Sequence, residues 1–227
     1  GAIVRGMTAK GRPEGDKIAG FNRSFTKTER LMEECGLTPM ESIEDLAAGA
    51  DVIVLAVKPQ MFHEVIPEVL RGIRKQQDRQ SPLVVSIAAG KTLEYLEEAF
   101  GNKTPIVRAM TNINAVAGAS VTAICPNQAC TGAEISVVKD MFSAIGGVYE
   151  IEERFFAAFS AIAGCSPAFT DLYINALADG ALRLGMPKDL ALQIAAEAVL
   201  GSAKMVLCGK EHPAALMDRV CSPGGTT

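Results

Sequence analysis

The hydrophobic pattern changes character about two-thirds of the way along the chain. Up to residue 152, short apolar runs alternate with segments of helical periodicity, which is typical of βα units and a largely parallel sheet. The predicted strands are 17–21, 51–57, 83–87, 106–110, 120–125 and 148–151. The run 51–57 (DVIVLAV) is nearly all apolar, as expected of a central strand covered on both faces. The first part of the chain is therefore predicted to be an α/β domain, 1–152.

Helices are predicted between these strands, at 26–35, 43–48, 62–75, 93–100 and 133–144. After residue 152 helix follows helix, at 157–163, 168–184 and 188–207, and these are Ala/Leu-rich and apolar around much of their circumference. A helix that is apolar on most sides must be buried on several of them. We therefore expect a second domain, 153–227, that is all-helical and that a second subunit covers.

The opening residues lack a feature that the alternating pattern leads one to expect. A dinucleotide-binding sheet normally begins with a strand and a GxGxxG loop, which binds pyrophosphate at a helix N-terminus. Here residues 1–7 have the pattern of the helix that follows such a loop. The sequence thus predicts a sheet without its first strand.

Polar and small residues follow several predicted strands, where ligands bind in open α/β sheets. Asn22, Arg23 and Ser24 follow the first one; a guanidinium there suits a 2′-phosphate, although a solvated loop arginine has the same sequence. The residues that follow the next strands are Ala56, Val57, Lys58 and Pro59, then Ala88, Ala89 and Gly90, then Asn112. Small residues permit a flat ring to pack on the backbone, but each group also suits a tight strand-to-helix connection.

The closing run CSPGGTT has the composition of a backbone anion cradle. Gly224 and Gly225 let the main chain approach a ligand, and Thr226 and Thr227 add hydroxyl groups. A small carboxylate is the natural guest, whereas a plain turn is the alternative.

Composition narrows the function classes. The net charge is −4 and no sustained basic block occurs, so we expect no nucleic-acid partner. No uninterrupted apolar run reaches the roughly 20 residues of a membrane span, so no membrane partner is expected. The chain has six cysteines without a CxxC pair and two distant histidines, which predicts no metal site and favours reduced thiols in a cytoplasmic protein.

The motifs FNRS, AVKPQ, VVSIAAG, RAMTN, AGCSPAF and CSPGGTT, in this order and spacing, resemble the pyrroline-5-carboxylate reductase family of proline biosynthesis. The resemblance implies a Rossmann-like domain and a helical domain that interlocks with a second subunit, as a homodimer or a ring of dimers. It also implies reduction of 1-pyrroline-5-carboxylate, a cyclic imine carboxylate, to L-proline by hydride transfer from NADPH, with NADH as a possible substitute.

The resemblance gives each group of residues a role. Asn22, Arg23 and Ser24 would address the adenosine phosphate, and the groups 56–59 and 88–90 would line the cofactor. The Asn112 amide, at the same sheet edge, suits orientation of the nicotinamide or the substrate, and a side chain that stabilises a turn is the alternative. Ser222, Gly224, Gly225, Thr226 and Thr227 would hold the substrate carboxylate, and the Thr227 hydroxyl would assist proton delivery to the ring nitrogen.

The chain departs from the family pattern in three places. The first strand with its glycine loop and the final helices are missing, so we expect these 227 residues alone to bind NADPH poorly. Thr111 and Asn114 replace two prolines, which predicts a looser loop around Asn112. Two alternatives stay open: another NADPH-dependent two-domain reductase, acting on a 3-hydroxy acid or a deazaflavin, and a non-catalytic dimerising remnant.

Overall fold

Two units make up the described part of the chain, which comprises residues 1–11, 17–75 and 80–227 of a computed structural model. The first unit is Gly1–Cys165 and the second is Ser166–Thr227. The predicted domain boundary after residue 152 marks the change from alternating strands and helices to helices alone. The two units are instead defined by which residues pack together, so the boundary at 152 stays a prediction.

Strands and helices alternate through the first unit, as the sequence predicts. Its elements are α1 (Ala2–Lys10), β1 (Ala19–Gly20), α2 (Phe25–Cys35), β2 (Thr38–Pro39), α3 (Ile43–Gly49), β3 (Val52–Leu55), α4 (Phe62–Lys75), β4 (Leu83–Ser86), α5 (Leu93–Phe100), β5 (Ile106–Met110), β6 (Ser120–Pro126), α6 (Gly132–Ser143), β7 (Gly146–Glu150) and α7 (Phe156–Phe159). Short 3₁₀ segments lie at Pro59–Met61, Ile113–Ala117 and Glu153–Phe155, and a π-helical turn at Ser160–Cys165. Each predicted strand is present; β2 was not predicted, because two residues carry no periodicity.

The strands form two sheets, a parallel pair β1-β2 and a five-stranded sheet in the order β3-β4-β5-β6-β7. All neighbouring strands of the larger sheet are parallel except β5 and β6. The prediction of a largely parallel sheet is thus confirmed. Helices cover both faces, so the inner strand β4 is wholly buried, with Val84 on the side of α4 and α5 and Val85 on the side of α6. The expectation that 51–57 forms a central strand was wrong, since β3 stands at the end of the strand order and its residues alternate between half-buried and buried.

Close helix packing and specific caps fix the ends of the helices. The Thr92 hydroxyl accepts a hydrogen bond from the Tyr95 N–H at 3.2 Å and caps α5. Thr131 and Glu134 form a full capping box at α6. Gly72 allows α4 to cross α3 closely, since a Cβ there would lie 2.2 Å from the Glu44 carbonyl oxygen.

The second unit contains α8 (Ser166–Arg183), α9 (Lys188–Cys208) and α10 (Pro213–Val220). Small buried residues, Ala178, Ala191 and Ala195, lie on α8 and α9, which pack together. Ser166 does not lie at an isolated helix start, because the π-helical turn leads directly into α8. A π turn shifts the hydrogen-bond spacing and so accommodates Pro167, which has no N–H to donate.

Many large apolar side chains of the second unit are exposed, including Phe169, Leu172, Tyr173, Leu184 and Leu207. By length and composition alone, Glu153–Arg183 and Lys188–Cys208 are apolar enough to cross a membrane, and the expectation of no membrane partner stays a prediction. The few charges in these segments do not interrupt the apolar stretch once it is helical. Helices that pack against another protein surface have the same composition, so the finding is weak evidence for a membrane.

Candidate active site

The carboxyl ends of three parallel strands define one edge of the larger sheet. Strands β3, β4 and β5 run in the same direction, so the residues that follow them lie along that edge. The predicted groups 56–59 and 88–90 and Asn112 follow these three strands in turn. The fold therefore places three of the four predicted cofactor groups at the edge where open α/β sheets bind ligands.

The fourth group, Asn22 to Ser24, is linked to this edge by an ion pair. The Arg23 guanidinium contacts the carboxylate of Glu64, which lies in the first turn of α4, shortly after β3. The Arg23 side chain is 68% exposed. The Asn22 Oδ1 accepts a hydrogen bond from the Ser24 N–H at 3.0 Å, which turns the chain so that Ser24 begins α2. An exposed guanidinium, an amide and a hydroxyl thus lie together beside α4.

The backbone after β3 and β4 takes conformations that Pro59 and Gly90 explain. Lys58 is extended, with φ −63° and ψ 144°, as the following Pro59 requires. Gly90 has a φ of +75°, and no atom would meet a Cβ there within 4 Å. Both connections therefore leave backbone open to a flat ligand.

A lysine that sequence reasoning missed lies just after Gly90. The Lys91 ammonium is 3.8 Å from the ring centroid of Tyr95 and 5.7 Å from that of Phe62. These cation–π contacts join the loop after β4 to α4 and α5. No sequence pattern marks this contact, because Phe62 and Lys91 are far apart along the chain.

Hydrogen bonds from Asn112 and Thr111 connect the loop after β5 to neighbouring segments. The Asn112 amide donates to the Ala163 carbonyl oxygen at 2.9 Å, and its Oδ1 accepts from the Val121 N–H at 3.3 Å. The Thr111 hydroxyl accepts from that of Thr122 at 3.1 Å. The expected loosening stays a prediction, but Thr111 supplies a hydrogen bond that a proline could not make.

A half-buried ion pair between Arg108 and Glu153 also holds β5 in place. Arg108 Nη1 lies 2.7 Å from Glu153 Oε1, which also accepts from the Leu93 N–H at 2.7 Å. The Arg108 guanidinium carbon is 4.2 Å from the Phe156 ring centroid. This cluster holds β5, the start of α5 and the segment after β7 together.

Cysteine chemistry finds no support in the first unit. Burial raises the pKa of the thiols of Cys125 and Cys130, so both are protonated at neutral pH. Among the described residues, no three His, Cys, Asp or Glu side chains are grouped so that they could hold a metal ion. Two surface clefts, of about 370 and 240 Å³, are lined by residues other than the predicted ones.

The predicted substrate loop follows α10, in the second unit. The Gly225 N–H donates to the Ser222 carbonyl oxygen at 2.8 Å, and Gly224 has a φ of +74°. With Pro223 at the second position, this is the arrangement of a type II turn. All seven residues from Cys221 to Thr227 are exposed, so backbone and hydroxyl groups face solvent.

Sequence and structure comparisons agree on the family. Residues 153–227 match the family model described as pyrroline-5-carboxylate reductase dimerisation, and residues 1–90 match NADP oxidoreductase coenzyme F420-dependent. Over 226 residues the chain is 40% identical to pyrroline-5-carboxylate reductase of Escherichia coli, covering 100% of this chain and 82% of that protein. This chain belongs to the pyrroline-5-carboxylate reductase family.

Other members of the pyrroline-5-carboxylate reductase family agree with this. The soybean (Glycine max) enzyme is 37% identical over 226 residues, covering 100% of this chain and 80% of its own length. The solved structure of the Coxiella burnetii enzyme superposes with a TM-score of 0.88 at 31% identity, covering 99% of this chain and 82% of that one. That of the Plasmodium falciparum enzyme with NADP bound gives 0.85 at 27% identity, covering 99% and 80%. The Rossmann-like sheet followed by a helical dimerisation domain is thus the family's arrangement.

Proposed function

We propose that this protein reduces 1-pyrroline-5-carboxylate to L-proline with NADPH as electron donor, the last step of proline biosynthesis. The observation that carries the proposal is the 40% identity to the Escherichia coli reductase over the whole chain. NADH is the expected weaker donor. Because a Plasmodium falciparum relative was solved with NADP bound, the phosphorylated cofactor is favoured.

The donor groups of the first unit fit NADPH. We assign Asn22, Arg23 and Ser24 to the 2′-phosphate, because guanidinium, amide and hydroxyl groups donate hydrogen bonds to its oxygens. The exposed residues Ala56, Val57 and Lys58 with Pro59, and the exposed Ala89 and Gly90, would line the rest of the cofactor. Ala88, also predicted to line it, is only 6% exposed and belongs to the hydrophobic core beneath this loop. When bound, the dihydronicotinamide supplies the hydride that the imine carbon accepts.

Asn112 acts on the cofactor site indirectly in this proposal. Both ends of its amide are engaged, with the Ala163 carbonyl oxygen and the Val121 N–H. It would therefore fix the shape of the loop after β5, along which the cofactor lies, rather than contact the cofactor itself.

The exposed turn at the end of the second unit suits the substrate carboxylate. Hydroxyl groups of Ser222, Thr226 and Thr227 and the backbone around Gly224 and Gly225 would hold it. The Thr227 hydroxyl would lie at the ring nitrogen and pass it a proton, which balances the hydride that the adjacent carbon receives. Catalysis would rest mainly on alignment, so no nucleophile is needed.

The coarser assembly follows from the family: the chain has a dimerisation domain and self-associates. We propose a homodimer, or a ring of such dimers, in the cytoplasm, with the functional division of the chain at 152/153. The exposed apolar faces of α8 and α9 support this, since a second copy would cover them.

A second candidate has one observation in its favour. Residues 1–90 match a model of F420-dependent NADP oxidoreductases, which points to a deazaflavin as electron partner. The match covers only the part of the chain before Lys91, and the helical residues 153–227 match the reductase family instead. The non-catalytic remnant is the third possibility.

The decisive experiment follows the loss of NADPH absorbance on addition of pyrroline-5-carboxylate. It compares this chain with a version whose ends carry the segments of the Escherichia coli relative that lie outside the match. Turnover of NADPH with the imine is expected. Turnover of a deazaflavin but not of the imine would support the second candidate. No turnover of either compound would support the non-catalytic remnant.

One substitution tests the substrate loop within the active version. Gly224→Val places a β-branched residue at a φ of +74°. Strain of this kind costs roughly 1–3 kcal/mol, so kcat/KM for the imine should fall about fivefold or more. Pro223→Ala, which keeps an allowed conformation, is the matched control. An unchanged kcat/KM in Gly224→Val would remove the loop from the substrate site.

A further inference from the structure

The ion pair between Arg23 and Glu64 has a consequence for cofactor choice. Arg23 lies in the loop after β1 and Glu64 in the first turn of α4, 41 residues further along the chain. Both side chains are substantially exposed, 68% for Arg23 and 45% for Glu64. The guanidinium assigned to the 2′-phosphate is thus already occupied by a carboxylate of the protein.

The two Glu64 oxygens face different neighbours. Oε2 contacts the Arg23 guanidinium, whereas Oε1 lies 3.5 Å from His63 Nε2. A 2′-phosphate that binds Arg23 would therefore enter beside an anionic oxygen. It must displace the carboxylate from the guanidinium or share the guanidinium with it, and in either case two anions lie close together.

We propose that Glu64 is a specificity-determining residue, a built-in competitor that weakens the binding of the 2′-phosphate at Arg23. This rests on the proposed assignment of Arg23 to NADPH. In the free protein Glu64 neutralises and orients Arg23. In the complex its charge opposes the phosphate, so the preference for NADPH over NADH reflects the balance between Arg23 and Glu64.

The size of the effect follows from the exposure of the pair. Exposed ion pairs contribute modestly, and a phosphate carries close to two charges at neutral pH. Removing the Glu64 charge should therefore tighten binding of a 2′-phosphate by roughly three- to tenfold. A nucleotide that lacks this phosphate should be indifferent to the change.

The test uses adenosine 2′,5′-bisphosphate and adenosine 5′-monophosphate in isothermal titrations, since neither ligand requires the pyrophosphate loop. Glu64→Gln keeps the shape and removes the charge. Glu68→Gln removes the same charge one turn further along α4 and is the matched control. We expect Glu64→Gln alone to lower the Kd of the bisphosphate three- to tenfold, with the monophosphate unchanged. Melting temperatures establish that every variant is folded.

Arg23→Gln separates this inference from the proposal on which it rests. Unchanged bisphosphate affinity in Arg23→Gln would overturn the assignment of Arg23 to the phosphate. If Arg23→Gln weakens binding but Glu64→Gln leaves it unchanged or weaker, the assignment stands and the competitor role is wrong. An equal gain in Glu68→Gln, or an equal gain from Glu64→Gln when Arg23 is also replaced, would likewise overturn competition for Arg23.

In the catalytically active, extended protein the same change has a kinetic signature. Glu64→Gln should lower KM for NADPH by a similar factor and leave KM for NADH and both kcat values near their original size. A fall in kcat with both donors would instead indicate a disturbed site and would contradict the proposal.

Discussion

The two units of this protein bury their apolar residues to very different extents. In the first, strand and helix residues such as Val84, Ile106 and Phe142 have no exposed surface. In the second, the buried apolar residues are alanines, while Leu184 is 90% and Leu207 is 80% exposed. Burial of apolar surface is the main driving force of folding, so the first unit has its own core whereas the second depends on another surface.

The difference also explains how the units divide the work. A self-sufficient sheet offers a rigid edge on which loops can position a cofactor. A helical pair with uncovered apolar faces is suited to joining subunits, in agreement with the dimerisation family that it matches. Four predictions test this contrast.

The largest expected effect is on assembly. Leu172→Glu places a charge on an α8 residue that is 69% exposed in the single chain. If a second copy covers this face, the loss of a buried apolar contact costs about 2 kcal/mol or more and weakens association at least roughly thirtyfold. Sedimentation velocity gives the mass. Val137→Glu on α6, 48% exposed, is the control and should leave the mass unchanged. Equal masses for both variants would contradict the assigned role of α8.

The next effect is on the stability of the first unit. Gly72→Ala puts a Cβ 2.2 Å from the Glu44 carbonyl oxygen at the crossing of α3 and α4. Overpacking of this kind costs roughly 1–3 kcal/mol, and the melting temperature should fall. Gly49→Ala, where no atom lies within 4 Å of the new Cβ, should not lower it. The mass in solution should stay the same in both, because the defect is confined to the first unit.

A smaller effect is expected at the loop after β5. Asn112→Ala leaves the Ala163 carbonyl and the Val121 N–H without their partner, which costs about 1–3 kcal/mol. Thermal unfolding should detect this, while the Kd for NADPH changes much less. Asn114→Ala, in the same loop and exposed, is the control. A large rise in Kd with unchanged stability would show that Asn112 contacts the cofactor directly.

The smallest effect is electrostatic and lies in the second unit. A hydrogen bond from Lys188, 2.5 Å from Asp179 Oδ1, lowers the pKa of that carboxyl. A lowered pKa stabilises the fold above the ordinary aspartate pKa of about 3.9, and this contribution is lost as the pH falls below it. Lys188→Met should move the pKa of Asp179 upward in an NMR titration of the carboxyl carbon. Lys204→Met should not, and an unmoved pKa in Lys188→Met would refute the assignment.

Most of the first unit could be predicted from local pattern. The predicted bounds of α4 and β5 are those observed, because a long amphipathic stretch and an apolar strand have clear periods. The strand β2 escaped prediction, since it is only two residues long. The π-helical turn escaped it as well, because the change in hydrogen-bond spacing leaves no mark in the sequence.

The candidate site shows where such reasoning ends. The positions after each strand could be listed from the sequence, and parallel pairing brings them to one edge. The contacts between side chains at the site could not be predicted from the sequence. Arg23 with Glu64 and Asn112 with Ala163 join residues that are 41 and 51 positions apart, so no local signal records them.

The sequence by itself therefore determined the alternation of strands and helices, the change to apolar helices and the family. These depend on the spacing of apolar residues and on short motifs, which are properties of neighbouring positions. The tertiary structure alone decided which distant residues contact one another. Examples are the carboxylate beside Arg23, the hydrogen-bond partners of Asn112 and the alanines between α8 and α9. Such pairs form only when the folded chain brings distant residues within hydrogen-bond or van der Waals distance.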